Sequence, residues 1–590
     1  VPEWAKRAVW YQIFPERFAN GDATNDPTVD DIAGSWPHEQ PAHWRVSPWT
    51  SDWYKLQPWE ASDTAAGHGF YYQVQRRRYG GDLQGVLNKL DYLARLGVTA
   101  IYFNPLFESP SLHKYDATMY HHIDNNFGPD PAGDRTTWSR ENPADPATWR
   151  WTSADKLFLK LVKEAHKRKM HVILDGVFNH VGNTFWAFQD VRKNQELSAY
   201  KDWFTIKRFD DPATPADEFD YEGWYGVKEL PELREDSLGL VAGPRAHVLA
   251  VVRRWMDPDG DGNPADGVDG WRLDVADMVA MPFWRDFRKT VRSVNPEAYI
   301  TGEIWWQDWK NDKMYNAAPW LAGDSFDAVM NYRWAREVCS FFVDHTKAIG
   351  PAEFERRLAA LRADYRGEVN EVLMNLLDSH DTDRLTSRIV NPDMAYDHAV
   401  GLHDNPAYNP RKPNSEETQI QKLVALFQMT YVGAPMIYYG DEVGMWGGDD
   451  PDERKPMLWG NFIYDNEASH PFGAERPSDP VAADLRLGAY YKSLIAIRKA
   501  HEALSVGSYT NVLADDARGL FAFLRVAGAD RILVVINNGT KEEHVSLPMD
   551  RLGATQVRRE LIEKNGFNAD QGSLEFLLRP KSGNVFDLGK

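Results

Sequence analysis

The sequence predicts an α/β chain: a (β/α)8 TIM barrel with an inserted subdomain after the third strand and a C-terminal antiparallel β-sandwich domain. Three observations predict it. Apolar runs of strand length alternate with stretches of helical periodicity from residue 10 to residue 440, the order that builds a parallel sheet. Each of these runs ends in polar, often acidic, residues, and such strand ends collect on the C-terminal face of a closed barrel. After residue 505 the pattern changes to short β-prone runs separated by Gly, Asn and Asp, as in a small antiparallel domain.

In order, Trp10-Tyr11-Gln12-Ile13-Phe14 is a strand that Pro15 stops. Asn20-Gly21-Asp22-Ala23-Thr24-Asn25-Asp26 follows, with four Asn or Asp side chains in seven residues. Hard cations need many oxygens at short range, so this is a candidate calcium loop; an Asx-rich surface turn is the commoner explanation of such a run. Residues 27–78 lack sustained periodicity and read as a long inserted loop. A helix opens at Gly80-Gly81-Asp82, with Asp82 as N-cap, Val86, Leu87, Leu90 and Leu93 as its apolar face and Gly97 as its end. Val98 to Phe103 is the next strand. A helix through Leu157, Phe158, Leu161, Val162 and Ala165 precedes the strand His171–Leu174, which ends in Asp175-Gly176-Val177-Phe178-Asn179-His180.

Residues 181–243 interrupt the alternation with charged, aromatic and Pro-rich sequence. Then come the strand in Gly267-Val268-Asp269-Gly270-Trp271-Arg272-Leu273-Asp274, a helix over Phe283–Val294 and the strand Ala298–Thr301 ending in Gly302-Glu303-Ile304-Trp305-Trp306. Phe326–Met330, Val372–Leu377 and Met436–Tyr439 complete the set, the second ending in Asp378-Ser379-His380-Asp381-Thr382-Asp383-Arg384. A helix lies near Ala489–Lys499, and Gly519–Arg525, Arg531–Asn537 and His544–Leu547 are the β runs of the last domain. The expected division is 1–180 and 244–504 for the barrel, 181–243 for the inserted domain and 505–590 for the sandwich.

The net charge of −20 and pI near 5.3 argue against a nucleic-acid partner, and no apolar run approaches the ~20 residues that span a bilayer. Cys339 is the only cysteine, so no intrachain disulfide forms. The chain starts at Val1 and not Met, which reads as the mark of a removed leader or tag; a periplasmic or secreted location is favoured over a cytoplasmic one. Oligomeric state is left open. The 23 Trp, 25 Tyr and 27 Phe offer flat faces suited to sugar rings, although large cores use them too.

Arg272 and Asp274, two apart on one strand, share a face, and an adjacent guanidinium favours an ionised carboxylate. Asp274, Glu303 and Asp381 stand on one rim with His180 and His380. Cleaving an acetal needs one ionised and one protonated carboxyl flanking the bond, and crowded acids push one pKa up to make the donor.

Asp175-Gly176-Val177-Phe178-Asn179-His180, Gly270-Trp271-Arg272-Leu273-Asp274, Gly302-Glu303-Ile304-Trp305 and Ser379-His380-Asp381 resemble the four best-known motifs of the α-amylase family (glycoside hydrolase family 13), in the right order. The resemblance implies a retaining mechanism, with Asp274 as nucleophile, Glu303 as general acid/base and Asp381 as the third acid. It implies that Arg272 orients the nucleophile, that His180 and His380 bind sugar, and that Tyr115 in His113-Lys114-Tyr115-Asp116 stacks on it. Asp383 and Arg384, beside the third acid, join the expected substrate-binding set. Trp305 and Trp306 are expected to hold an acceptor sugar, with core packing as the alternative.

Phe14-Pro15-Glu16-Arg17-Phe18-Ala19-Asn20-Gly21 and Gly302-Glu303-Ile304-Trp305 resemble the neopullulanase, cyclomaltodextrinase and maltogenic amylase group. Leu230-Pro231-Glu232-Leu233-Arg234 stands where that group has Met-Pro-Lys-Leu-Asn. Val275 is similar to members that tolerate α-1,6 bonds, and Asp277-Met278 replaces the Lys-His pair of typical α-amylases. The β-sandwich that precedes the barrel in this group is missing, which implies either a more open site or one covered by 27–78. In several relatives a loop like Asn20, Asp22, Asn25, Asp26, with Gly80 and Asp82, binds structural calcium, and the resemblance favours the metal here. The expected activity is hydrolysis of α-1,4 bonds, and of α-1,6 bonds as well, in maltodextrins, cyclodextrins or pullulan. A glucanotransferase or α-glucosidase of the same family and a non-catalytic carbohydrate-binding barrel are the alternatives. Asp257-Pro258-Asp259-Gly260-Asp261-Gly262-Asn263 imitates an EF-hand loop, but Val268 stands where its last ligand belongs, so it reads as a turn.

Overall fold

A computed structural model of the chain describes residues 1–63, 67–562, 566–569 and 572–589. Eight parallel strands form the central sheet: β1 (Trp10–Ile13), β2 (Ala100–Phe103), β3 (His171–Gly176), β4 (Gly270–Leu273), β5 (Tyr299–Gly302), β6 (Ala328–Val329), β7 (Met374–Asn375) and β8 (Ala434–Tyr438). They are hydrogen-bonded in the order β6-β5-β4-β3-β2-β1-β8-β7. A parallel bridge between Met330 and Met374 joins the two ends and closes the barrel. All but His171 of β1 to β5 is buried, which is why these segments read as continuous apolar runs and not as alternations.

The helices between them follow their sequence signals closely. α1 (Leu83–Leu96) starts at Asp82, whose carboxylate accepts the Gly85 N–H, and ends at Gly97 in the left-handed region at φ 108°. α2 (Ser153–Lys167) opens on a reciprocal Thr152–Asp155 cap. α3 (Ala242–Met256) and α4 (Met281–Val294) flank β4. α5 (Tyr332–Phe342), α6 (Pro351–Asp364), α7 (Ser415–Thr430) and α8 (Leu485–Ala500) complete the outer layer. Among the described residues no helix is long and apolar enough to cross a membrane.

Register carries the site. Asp175 pairs with Arg272, and Arg272 with Thr301, so an acid and a guanidinium share one layer at the barrel mouth. Two residues further on, the Asp274 N–H donates to the Gly176 carbonyl and the Glu303 N–H to that of Leu273. Both acids therefore sit just past the last ladder bonds, aimed from rigid backbone.

Segment 181–243 carries a helix at Trp186–Asn194 and two small hairpins, Ile206–Arg208 with Asp220–Tyr221 and Glu235–Asp236 with Gly239–Leu240. Segment 27–78, expected to be loop, contains the short helices Pro58–Ala61 and Phe70–Gln73. Trp53, Tyr54, Phe70 and Val74 pack on Val400, Leu402 and Tyr408. Three of its donors, Trp53 Nε1 and the hydroxyls of Tyr54 and Tyr71, converge on the Asp452 carboxylate at 2.8–2.9 Å. Its order comes from contacts with distant segments, and such contacts leave no local period to read.

The C-terminal domain has a five-stranded sheet of β9 (Ser508–Asp515), β10 (Leu520–Ala527), β11 (Asp530–Asn537), β13 (Arg559–Glu560) and β15 (Ser582–Asp587), facing the pair β12 (Glu543–Pro548) and β14 (Ser573–Leu578). Leu520, Ala522, Leu533 and Val535 bury against Val545, Leu574 and Phe576. The alternate residues Phe521, Phe523, Ile532 and Val534 join the core that includes the barrel. Both faces of β10 and β11 are thus used, with the period of two that strand geometry imposes.

Candidate active site

The barrel mouth opens into a cavity of about 520 Å³ lined by Tyr115, His180, Asp274, Glu303, Trp305 and Asp381 among others, a size suited to small-molecule recognition. Arg272, fully buried beneath it, organises the acids. Its Nη1 donates to Asp274 Oδ1 at 2.8 Å and to both oxygens of Asp175 at 2.9 and 3.1 Å. Its Nη2 lies 2.9 Å from Glu303 Oε2.

A lone neighbouring guanidinium was expected to hold Asp274 ionised. In the structure, burial and the charge of Glu303 outweigh Arg272 and raise the Asp274 carboxyl well above the usual carboxylate range. The reason is the ratio of charges, because one cation serves three carboxylates in a buried layer. Burial, reinforced by Glu303, likewise raises Asp381 to about 7, against the pull of Arg454 and Arg272. The site is a coupled acid cluster that retains protons toward neutral pH.

Val275, next to Asp274, adopts φ 36° and ψ 47°, a left-handed conformation unfavourable for a β-branched side chain. It turns the Val275 N–H toward Glu303 Oε2 at 2.9 Å. Backbone strain thus holds the second acid in place.

Tyr115 stands on the cavity wall with its ring 5.5 Å from that of His380 and nearly parallel to it. Its hydroxyl donates to Asp175 at 2.9 Å and also meets His380 Nε2. Gln12 Nε2 lies 2.8 Å from His380 Nδ1, fixing the ring from the other side. Burial lowers His180 to about 3 and His380 well below the ordinary imidazole value, so both are neutral hydrogen-bonding groups. His180 also stacks on Trp224 at 5.3 Å. Trp305 is stacked on Tyr332 at 4.1 Å while still lining the cavity, so packing and site meet in it.

Four expected substrate-binding residues are not among those that line the cavity: Arg272 and His380 lie directly behind its wall, and Asp383 and Arg384 are turned away from it. Arg384 is fully buried; it donates to the carbonyls of Glu453 and Tyr439 at 2.9 Å and pairs with Asp441 at 3.1 Å. Its guanidinium lies over the rings of Tyr438 and Tyr439, so it ties loops together from below. Asp383 is buried against Tyr408, whose hydroxyl donates to it at 3.3 Å.

Residues not singled out from the sequence complete the walls: His113, Trp224, Tyr225, Trp309, Asp450 and Arg454. Arg454 donates to the His380 carbonyl at 2.7 Å and to Asp381 at 3.2 Å, and pairs with Asp450 at 2.9 Å. The spacing Asp450 to Arg454 in the Gly-rich loop after β8 was the available signal. Trp306 and Trp309 donate their indole N–H groups to Asp397 at 2.8 and 3.1 Å, which makes them a braced pair.

The residues of the candidate calcium loop gather beside α1. Asn20 Nδ2 donates to Asp26 Oδ1 at 2.7 Å, and a Cβ on Gly80 would strike both side chains. Asp82 accepts the N–H groups of Gly21, Asp22 and Gly85 and the Asn25 amide. Asp22 is half-buried and accepts from the Thr24 hydroxyl at 2.6 Å. Among the described residues, two other clusters hold metal-type side chains. In one, His122 is clamped between Asp155 at 2.8 Å and Glu141 at 2.9 Å, a buried ion-pair network with His121 beside it. In the 257–263 run, Asp257, Asp259 and Asp261 accept N–H groups of their own turn.

Comparison with known proteins agrees with this geometry. The family described as alpha amylase, catalytic domain, matches residues 12–136 and 152–507. The maltogenic amylase C-terminal domain matches 509–584. Neopullulanase 2 of Thermoactinomyces vulgaris is 36% identical over 591 residues, covering 100% of this chain and 79% of that protein. A cyclomaltodextrinase of Geobacillus thermopakistaniensis is 35% identical, covering 98% and 76%. Among solved structures, the type III pullulan hydrolase from Thermococcus kodakarensis superposes with a TM-score of 0.72 at 26% identity, covering 99% of this chain and 82% of that one. With its three acids on the rim of an eight-stranded barrel and both domains matched, the chain belongs to the α-amylase family of glycoside hydrolases.

Proposed function

We propose that the enzyme is a retaining α-glucan hydrolase that cleaves α-1,4 bonds, and α-1,6 bonds as well, in maltodextrins, cyclodextrins or pullulan. The observation that carries this is the convergence of Asp274, Glu303 and Asp381 on one cavity, the first two on a single guanidinium. The names of its relatives, neopullulanase, cyclomaltodextrinase and intracellular maltogenic amylase, support the substrate class.

In this reading the reactive form of the acid cluster carries its proton on Glu303 and leaves Asp274 ionised against Arg272; Asp274 attacks the anomeric carbon while Glu303 passes that proton to the departing glucosidic oxygen. The bond to that oxygen breaks and a glycosyl ester on Asp274 remains. Glu303, now a base, takes a proton from water, whose oxygen attacks the same carbon and frees Asp274. Arg272 keeps Asp274 aimed and offsets its charge, while Asp381, steered by Arg454, hydrogen-bonds the sugar hydroxyls. Tyr115 supplies a flat face for the same ring, and neutral His180 and His380 bond to it.

A second reading, transfer to an acceptor sugar, is favoured by the braced Trp306–Trp309 pair on the cavity wall. A panel of γ-cyclodextrin, pullulan, starch and maltotriose tests both. Hydrolysis of cyclodextrin and pullulan in preference to starch is expected; folded protein that cleaves none of the four overturns the reading. Products larger than maltotriose, growing with substrate concentration, identify transfer.

We also propose structural calcium at the loop of Asn20, Asp22, Asn25, Asp26, Gly80 and Asp82. The fit rests on Asn25 Oδ1, a buried oxygen that meets no donor among the described residues. It rests also on Asp26, raised to about 6 by burial, with the neighbouring charges of Asp82 and Glu16 adding to the effect. Such a crowd of oxygens suits a hard cation. Because Asp82 already accepts four N–H donors, direct ligation falls first on Asp26, Asn25 and Asn20, with Asp82 holding the loop closed. When bound, the ion would neutralise the cluster and fix α1 against β1. Folded-state Asp26 takes up a proton below about pH 6, so calcium competes with that proton. Chelation should lower the melting temperature by several degrees at pH 7.5 and by much less at pH 5; no change at pH 7.5 would remove the site.

A further inference from the structure

The catalytic cavity continues into a second groove of about 310 Å³, lined by Trp36, Gln75, His113, Val227, Glu229 and Leu230 among others. The two share His113 and Leu230, and the groove includes none of the tryptophans that follow Glu303. One wall belongs to segment 27–78 and the other to the inserted subdomain. His38 Nε2 meets Glu229 Oε1 at 3.0 Å, an ion-pair geometry that joins the two walls. Near the start of this strap, Gly34 lies at φ 96°, and a Cβ there would strike the Thr184 side chain, so the strap lies close against the subdomain.

Trp36 is the unusual residue of this groove. Half of its surface is exposed, yet its ring is held edge-on by Tyr72 at 5.6 Å. Tyr72 is in turn stacked by His68 at 3.8 Å, carries the Arg76 guanidinium 5.0 Å from its ring, and donates its hydroxyl to Glu39. A large apolar ring left in water but rigidly braced is what a recognition surface provides, because binding then costs little ordering of the side chain. An indole face covers the C–H face of a pyranose, and Glu229, Gln75 and His113 offer polar partners for its hydroxyls.

We propose that this groove is a distal glucan-binding site in which Trp36 stacks on a glucosyl unit of the same chain whose reacting unit is held at Tyr115. Among linear maltooligosaccharides the strap 27–78 thereby favours longer chains over shorter ones. This inference rests on the α-glucan reading above.

The test measures kcat/KM for maltotriose and for maltoheptaose in the parent, W36A and W36F, with melting temperatures recorded alongside. The ratio of the heptaose to the triose value is expected to fall about tenfold in W36A, the size of one lost aromatic stacking contact, and to stay within threefold of the parent in W36F. A ratio unchanged in folded W36A overturns the inference. Calorimetric binding of maltoheptaose to Glu303→Gln, with and without W36A, separates the two readings. Loss of about tenfold in affinity on removing Trp36 supports the groove even where the parent hydrolyses no maltooligosaccharide, in which case only the hydrolase reading fails. Equal affinities alongside normal hydrolysis sink the groove and leave the hydrolase intact.

Discussion

Two fully buried arginines, Arg272 under the barrel mouth and Arg77 under the strap, are built from the same parts and differ in balance. Arg77 meets one carboxylate, Glu60, through Nε and Nη2 at 2.6 and 2.7 Å, and gives its remaining donors to the carbonyls of Trp53 and Lys55. Charge is matched one to one and donors are satisfied, the condition under which a buried pair holds structure. Arg272 faces Asp175, Asp274 and Glu303 together. There, charge is in surplus beside an open cavity, and the surplus appears as the raised carboxyls of Asp274 and Asp381. A matched cluster is a scaffold, whereas an unmatched one is poised to trade protons.

The sharpest way to break that contrast is to change one member of each. Asp274→Asn removes the nucleophile and is expected to lower kcat on maltotriose by about four orders of magnitude or more, with no fall in melting temperature, since it relieves repulsion. Arg77→Met leaves Glu60 buried and unpaired and is expected to destabilise the fold by about 3–5 kcal/mol in urea titration. If Asp274→Asn destabilised as much as Arg77→Met, the acids would be scaffold too.

A smaller effect concerns pH. Asp381 is raised in the folded chain to about 7, above its unfolded value. A carboxyl so shifted contributes stability that is present below pH 4 and lost as the pH rises through 7. Asp381→Asn carries no such charge. It is therefore expected to be more stable than the parent by about 2 kcal/mol at pH 8, the gain vanishing near pH 4. Urea titrations at both values measure it, and a gain equal at the two would contradict the shift.

The same contrast explains what was legible in the sequence. Strand ends carry Asp274, Glu303 and Asp381 because a barrel strand is short, apolar and locally recognisable, and the helix from Asp82 to Gly97 announces both its caps. Arg384, three residues past Asp381 and at the start of the helix Leu385–Val390, turned out to lie over Tyr438 and Tyr439, because its direction is set by Asp441 and the Glu453 carbonyl, partners distant in the chain. Arg454 and the strap escaped because their order comes from partners distant in the chain, such as His380 and Asp381 for Arg454 and Asp452 for Trp53. In the last domain three runs were read, while β9, β13, β14 and β15 were missed. In β9 and β14 polar residues interleave with apolar ones, and β15, although buried throughout, opens on Ser582-Gly583-Asn584 and so carries no apolar run to read.

In the proposed mechanism Asp274 is the nucleophile, its oxygen bonding the anomeric carbon to form a covalent intermediate beside Glu303. The most direct test of this assignment is mass spectrometry of the enzyme after reaction with a fluorinated α-glucosyl fluoride, whose glycosyl ester forms readily and hydrolyses slowly. One added glycosyl unit is expected, located on the peptide containing Gly270-Trp271-Arg272-Leu273-Asp274 and lost on chase with maltose. A label on a different carboxylate, or turnover with inversion and no adduct, would contradict it.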